Sequence, residues 1–201
     1  MRYGMVINLQ RCIGCDACTM ACKTANGTPP GIFWSHVIHK EVGEYPTARM
    51  DYTPVLCMHC KNAPCVTACP TGASIKEANG IVHVDKGKCI GCKQCVVVCP
   101  YQARWFLDTK IKGYFPEFGL TKKEERNYAD FDFGKVTKCN FCLDRVAVGD
   151  EPACVHTCPA DARIFGDLDD PNSEVSKLLR YRGPQPLGPE FGTEPSVFYI
   201  R

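Results

Sequence analysis

Sixteen cysteines fall into four sets of four with none left over, and this constrains the chain more than any other feature. The sets are Cys12, Cys15, Cys18 and Cys22; Cys57, Cys60, Cys65 and Cys69; Cys89, Cys92, Cys95 and Cys99; and Cys139, Cys142, Cys154 and Cys158. Thiols two or three residues apart share one tight turn, which suits a compact metal centre better than long cross-links. A disulfide framework is the alternative that composition permits, but such frameworks belong to small exported domains. The opening "MRYGMVINLQRC" shows no charged segment followed by a long apolar run, so no signal peptide is expected.

The sets repeat. The first and third share C-I-G-C-x-x-C-x-x-x-C, and their approaches align, "MVINLQRCIGC" against "VHVDKGKCIGC". Short alternating apolar runs before each read as β-strands. Three sets continue as C-P-x-x-A, at "CPTGA", "CPYQA" and "CPADA", and the last two run on to Arg104 and Arg163. The unit is a strand, a cysteine loop and a short helix, used repeatedly.

Each residue type in the unit has a physical task. Three thiolates in one loop can wrap a corner of a cubane iron–sulfur cluster, while the fourth cysteine points away. Proline after it fixes φ and turns the chain. Gly14 and Gly91 allow close backbone approach and a positive φ. In two-cluster ferredoxins with this run, the fourth cysteine ligates the other cluster. Crossed ligation demands that sets come in pairs. Sets two and three give Cys57, Cys60, Cys65 with Cys99, and Cys89, Cys92, Cys95 with Cys69. Set one then needs set four: Cys12, Cys15, Cys18 with Cys158, and Cys139, Cys142, Cys154 with Cys22.

"CNFCLDRVAVGDEPACVHTCP", from Cys139, also resembles a zinc hairpin. That reading strands Cys22 and breaks the repeat, so set four is read as a cluster set with an insertion. The expected fold is α+β, with two nested bacterial-type 2×[4Fe–4S] ferredoxin modules related by internal pseudo-symmetry. Residues 1–35 plus 135–166 form the outer module and 50–105 the inner one. Residues 106–134 are a ligand-free insertion, and 167–201 a short helix near Asn172–Leu179 with an extended tail. The closing apolar "VFYI" of that tail is expected to dock on a partner.

Four anionic clusters need compensating charge, and Lys23, Lys61, Arg104, Arg145 and Arg163 lie beside cysteines. His59 and His156 sit between cysteines but are surplus to four complete sets, so they are read as neighbours of the ligands or as surface residues. Trp34 and Trp105 are read as packing residues. The formal charge of +2 gives no basic stripe for nucleic acid, and no apolar run approaches the ~20 residues of a membrane span. No Gly-rich nucleotide loop or persuasive catalytic triad is present.

The segments "MVINLQRCIGCDACTMACK", "LCMHCKNAPCVTACPTGAS", "KCIGCKQCVVVCPYQAR" and "KCNFCLDRVAVGDEPACVHTCPADARIFGDLDDP" resemble the four-cluster iron–sulfur subunits of the dimethyl sulfoxide reductase family of molybdopterin enzymes. The likeness runs to the small subunits of polysulfide or thiosulfate reductases and of respiratory arsenate reductases. "GIFWSH" and "VFYIR" look like the arsenate type and "EVGEYP" like the polysulfide type. The resemblance implies a large catalytic partner carrying a Mo- or W-bis-molybdopterin guanine dinucleotide (bis-MGD) site, whose own signal often exports both chains to the periplasm; without that export the chain is expected in the cytoplasm. It also implies electron exchange with a quinol through a membrane anchor, or with a cytochrome. The cluster of Cys12, Cys15, Cys18 and Cys158 is then nearest the catalytic partner, and that of Cys69, Cys89, Cys92 and Cys95 farthest. Some relatives replace one cysteine with tryptophan to give a [3Fe–4S] centre; here every position is cysteine, which implies four [4Fe–4S] clusters.

Overall fold

A computed structural model describes residues 1–108 and 111–201; Thr109 and Lys110, in the expected insertion, lie outside them. Each cysteine set lies between an incoming and an outgoing strand. Set one lies between β1 (Tyr3–Asn8) and β2 (Ser35–Val42), with helix α1 (Ala17–Asn26) carrying its last two cysteines. Set two follows β3 (Arg49–Leu56), passes through the single turn α2 (Pro64–Thr67) and leaves by β4 (Ser74–Lys76). Set three runs from β5 (Val82–Val84) through α3 (Gln94–Val97) to β6 (Trp105–Phe106).

Helix α4 (Lys122–Tyr128) lies in the cysteine-free segment that follows. Set four then runs from β7 (Val136–Thr137) through α5 (Leu143–Ala147) and α6 (Ala153–His156) to β8 (Arg163–Asp167).

The strands pair around the chain. β2 pairs with β3, β4 with β5, and β6 with β7, each antiparallel, while β8 returns antiparallel to β1. Each outgoing strand thus bonds to the strand that enters the next set, and the last closes on the first. The Ser35–Leu56 and Trp105–Thr137 pairs join residues of the expected outer module to residues of the inner one.

β1 is the buried spine. Met5, Val6 and Ile7 are all inaccessible to solvent. Strand side chains alternate between faces, so Met5 and Ile7 join the core that includes the buried cysteines, and Val6 meets Val175 and Ile200 on the other side. Val175 belongs to α7 (Glu174–Arg182), which Ser173 caps by accepting the Ser176 N–H, and which ends at Gly183 in the left-handed conformation. The sequence places this helix two residues early.

The tail departs from expectation. After β9 (Gln185–Pro186), residues Val197–Ile200 form β10, parallel to β1 and hydrogen-bonded to β9 on its other side. Val197, Tyr199 and Ile200 are buried, and the Tyr199 hydroxyl donates to the Pro54 carbonyl at 3.0 Å. The apolar "VFYI", expected on a partner, is covered by the chain's own sheet, because β1 offers an unpaired edge and two apolar faces.

The cysteine-free segments pack on each other. Ile32, Leu107 and Phe131 form a small core against which Trp34 and Trp105 lie. Helix α4 starts with a capping box, Thr121 and Glu124 satisfying each other's backbone N–H groups. Among the described residues, no helix is long and apolar enough to cross a membrane.

Candidate metal centres

The repeat extends to backbone conformation. The residue before the second cysteine is left-handed in all four sets: Gly14 (φ 68°), His59 (φ 43°), Gly91 (φ 71°) and Phe141 (φ 55°). The same holds three residues after the fourth cysteine in the C-P sets, at Gly72, Gln102 and Asp161. A non-glycine residue accepts this at a cost of about 1–2 kcal/mol, so the turn is imposed by what the loop must wrap. It aims amides at sulfur. His59 N–H donates to Cys57 Sγ and Phe141 N–H to Cys139 Sγ, each at 3.5 Å. Ser74 N–H donates to Cys69 Sγ at 3.4 Å and Ala162 N–H to Cys158 Sγ at 3.3 Å.

All sixteen cysteines are free thiols. One cavity is lined by Cys57, Cys60, Cys65 and Cys99, with Arg104 and Tyr101. A second is lined by Cys12, Cys15, Cys18 and Cys158, with Arg163. A third is lined by Cys69, Cys89, Cys92 and Cys95. Each gathers three cysteines of one set and the fourth of another. The remaining four also meet: Asn26 Nδ2 lies 3.6 Å from both Cys22 Sγ and Cys142 Sγ, and Cys22 and Cys139 both lie within electrostatic reach of Cys154. Among the described residues, no three His, Cys, Asp or Glu side chains converge on a point that suits one metal ion.

Electrostatics favour a cationic core in those spaces. Burial, then repulsion from neighbouring thiolates, pushes Cys22 and Cys139 above the ordinary thiol range; burial also raises Cys154, against the opposing charge of Arg163. Burial likewise takes Cys60 up to about 12. Cys69 differs: burial raises it a little, but the Ser74, Thr71 and Ala73 donors outweigh this and bring it down to about 7. Buried thiols held above their ordinary range become thiolates when a metal cation bonds to them, as iron would.

Buried donors without acceptors make the same point. Arg104 and Arg163 are both buried. Arg104 Nη1 donates to Ser74 Oγ at 2.8 Å, but among the described residues its Nε and Nη2 find no partner, nor do any of the three Arg163 nitrogens. His59 accepts from the Val82 N–H through Nδ1 at 3.0 Å, so its proton sits on Nε2, which is buried and likewise unpartnered. Burial and the nearby charges of Lys138 and Arg104 hold this ring well below the usual histidine range, hence neutral. An iron–sulfur core offers sulfur acceptors, so the residues present fit the group.

The other charge candidates divide. Lys23 is buried, with Nζ donating to the Pro29 and Ile32 carbonyls at 3.0 and 2.9 Å and lying over the Phe33 ring. Lys61 and Arg145 are solvated and pair with Glu194 and Asp150. Lys138, which sequence reasoning passed over, is buried and donates to the Val82 and Cys139 carbonyls. Its position next to Cys139 was the available signal. His156 is exposed, whereas His59 is sealed beneath Phe141, the ring centroids 3.7 Å apart.

A family model described as a 4Fe-4S dicluster domain matches residues 48–112 and 125–168, and another of the same description matches residues 11–73. The arsenate respiratory reductase iron-sulfur subunit ArrB of Shewanella sp. strain ANA-3 is 42% identical across 100% of this chain and 97% of its own. A Halobacterium salinarum protein that bears the provisional name of a dimethyl sulfoxide reductase iron-sulfur subunit is 45% identical over 98% of this chain and 78% of its own. A tetrathionate reductase subunit of Salmonella typhimurium is 39% identical over 99% and 72%. The chain belongs to the iron–sulfur electron-transfer subunits of the dimethyl sulfoxide reductase family of molybdopterin oxidoreductases, whose catalytic site is on a partner subunit.

Proposed function

We propose that this chain relays single electrons through four [4Fe–4S] clusters between a quinol- or cytochrome-fed donor side and the Mo- or W-bis-MGD site of its catalytic partner. The partner would reduce or oxidise a sulfur compound or an arsenic oxyanion, the substrate classes that the names of similar subunits suggest. The carrying observation is the gathering of thiols from two sets around each of three cavities, which is what crossed ligation requires.

Cys12, Cys15, Cys18 and Cys158 would hold cluster 1, and Cys22, Cys139, Cys142 and Cys154 cluster 2. Cys57, Cys60, Cys65 and Cys99 would hold cluster 3, and Cys69, Cys89, Cys92 and Cys95 cluster 4. Clusters 1 and 2 form the outer module and 3 and 4 the inner one nested within it. The recurrence of the left-handed turn in every set supports their pseudo-symmetry.

When bound, the clusters supply one-electron carriers; the protein sets their order and surroundings. Cys139 of cluster 2 lies close enough to Cys57 of cluster 3 for their charges to interact, which makes 1–2–3–4 the natural sequence. Cys15 and Cys92 are the exposed cysteines, which supports clusters 1 and 4 as the ends of the relay. Exposed Ile13 and Met20 flank Cys15, and exposed Ile90 and Val97 flank Cys92. These apolar collars suit docking, the first on the catalytic partner and the second on a membrane anchor or cytochrome. Export to the periplasm with the catalytic partner is part of the same reading.

The test is anaerobic purification of the native complex with iron, acid-labile sulfide and zinc measured together. About sixteen irons per chain, four in each of four clusters, is the expected result. About twelve irons and one zinc would return set four to a zinc hairpin and overturn the crossed pairing.

A further inference from the structure

Arg104 and Arg163 occupy the same place in the repeat, five residues after the fourth cysteine of sets three and four. Both are buried, and between them they carry five of the buried nitrogens that lack a protein partner among the described residues. Arg104 lines the cavity of Cys57, Cys60, Cys65 and Cys99 and also lies against Cys95 of the neighbouring set. Arg163 lines the cavity of Cys12, Cys15, Cys18 and Cys158 and also lies within electrostatic reach of Cys154 and Cys22. Among the described residues neither forms a salt bridge with a carboxylate, so thiols are the anions each guanidinium faces. A buried cation without an anionic partner is costly, and both sites are built so that sulfur can be that partner.

We propose that each arginine is the shared counter-cation of one cluster pair, Arg163 for clusters 1 and 2 and Arg104 for clusters 3 and 4. This rests on the crossed ligand sets above. A reduced cluster carries one more negative charge than an oxidised one, so a fixed cation between two clusters favours reduction of both. The arginines are positioning residues that set the level at which each pair accepts electrons. Because Arg104 also donates to Ser74 Oγ, while Arg163 has no such oxygen partner, Arg163 has the greater influence.

The experiment is EPR-monitored redox titration of the intact complex carrying Arg163→Gln or Arg104→Gln, with iron counted on each sample. Arg163→Gln is expected to lower two of the four midpoint potentials by at least a tenfold change in the reduction equilibrium, about 59 mV for one electron. Arg104→Gln is expected to lower the other two, by less. Unmoved potentials at full iron content, or shifts of the same clusters by both variants, would overturn the proposal. Should a glutamine variant lose iron, the lysine variant decides. Arg→Lys with full iron and potentials near the parent supports the role of charge, and Arg→Lys that fails like Gln contradicts it.

A measurement on the unsubstituted complex is independent of folding. Arginine labelled with guanidino ¹⁵N should show hyperfine coupling to the reduced clusters, and absence of coupling would sink the proposal. Failure of the ligand sets themselves would look different: the unsubstituted chain would hold fewer than about sixteen irons.

Discussion

Apart from their cysteine spacing, sets one and three differ from sets two and four at one position of the turn, and the difference separates exposed second cysteines from buried ones. All four place a left-handed residue before the second cysteine. In sets one and three it is Gly14 or Gly91, and the following cysteine, Cys15 or Cys92, is exposed. In sets two and four it is His59 or Phe141, both fully buried and stacked on each other, and the following Cys60 or Cys142 is buried. A thin wall leaves a terminal thiol near solvent and partners. A ring at the same place accepts backbone strain in exchange for packing, and it forms a buried junction between sets two and four. One backbone turn therefore serves two purposes, according to whether it carries a side chain.

Substitutions can break this contrast. Phe141→Ala has the largest expected effect, because it removes a fully buried ring from the junction at a cost of about 3–5 kcal/mol. Anaerobic guanidinium unfolding of the holo complex should show it, with cluster bleaching as the probe. A loss below about 1 kcal/mol would mean that the stack does not hold the halves together.

Gly91→Ala comes next. Its Cβ would stand 1.9 Å from the Gly134 carbonyl oxygen at a φ of 71°, so overpacking of about 1–3 kcal/mol adds to the left-handed penalty of about 1–2 kcal/mol. Unfolding should move earlier by that amount, and iron loss should begin at cluster 4. If alanine were tolerated there, the glycine would not be needed to admit the Gly134 backbone.

Smaller effects probe the closure of the tail. Tyr199→Phe removes the hydroxyl that reaches Pro54 across the core, an expected loss of about 0.5–1.5 kcal/mol in the same assay. Lys61→Ala breaks an exposed pair with Glu194, 2.9 Å apart, and should cost less than about 1 kcal/mol. A larger loss at Lys61 than at Tyr199 would shift the anchorage of the tail from the buried strand to the surface pair.

The four cysteine sets could be drawn from the sequence because their spacing is local, and the crossed rule proposes the one long-range step. The strand before set three and the short helix near Asn172–Leu179 were visible, through alternation and an acidic start. What escaped was non-local. Nothing within Val197–Ile200 shows that it lies beside Tyr3–Asn8, nearly a full chain length away, since a strand's partner is chosen by an open edge and matching faces. His59 was left between two readings because its burial depends on Phe141, eighty-two residues on. Aligning His59 with Gly14 by their place in the CxxC turn would have flagged the left-handed conformation, though not the stack.

Single fourth-cysteine variants test crossed ligation most directly. In the anaerobically purified complex, Cys158→Ser should alter the same EPR signal and midpoint potential as Cys15→Ser, while Cys22→Ser alters the one changed by Cys142→Ser. If Cys158→Ser instead perturbs the signal shared with Cys142→Ser, set four closes on itself, and the crossed arrangement is wrong.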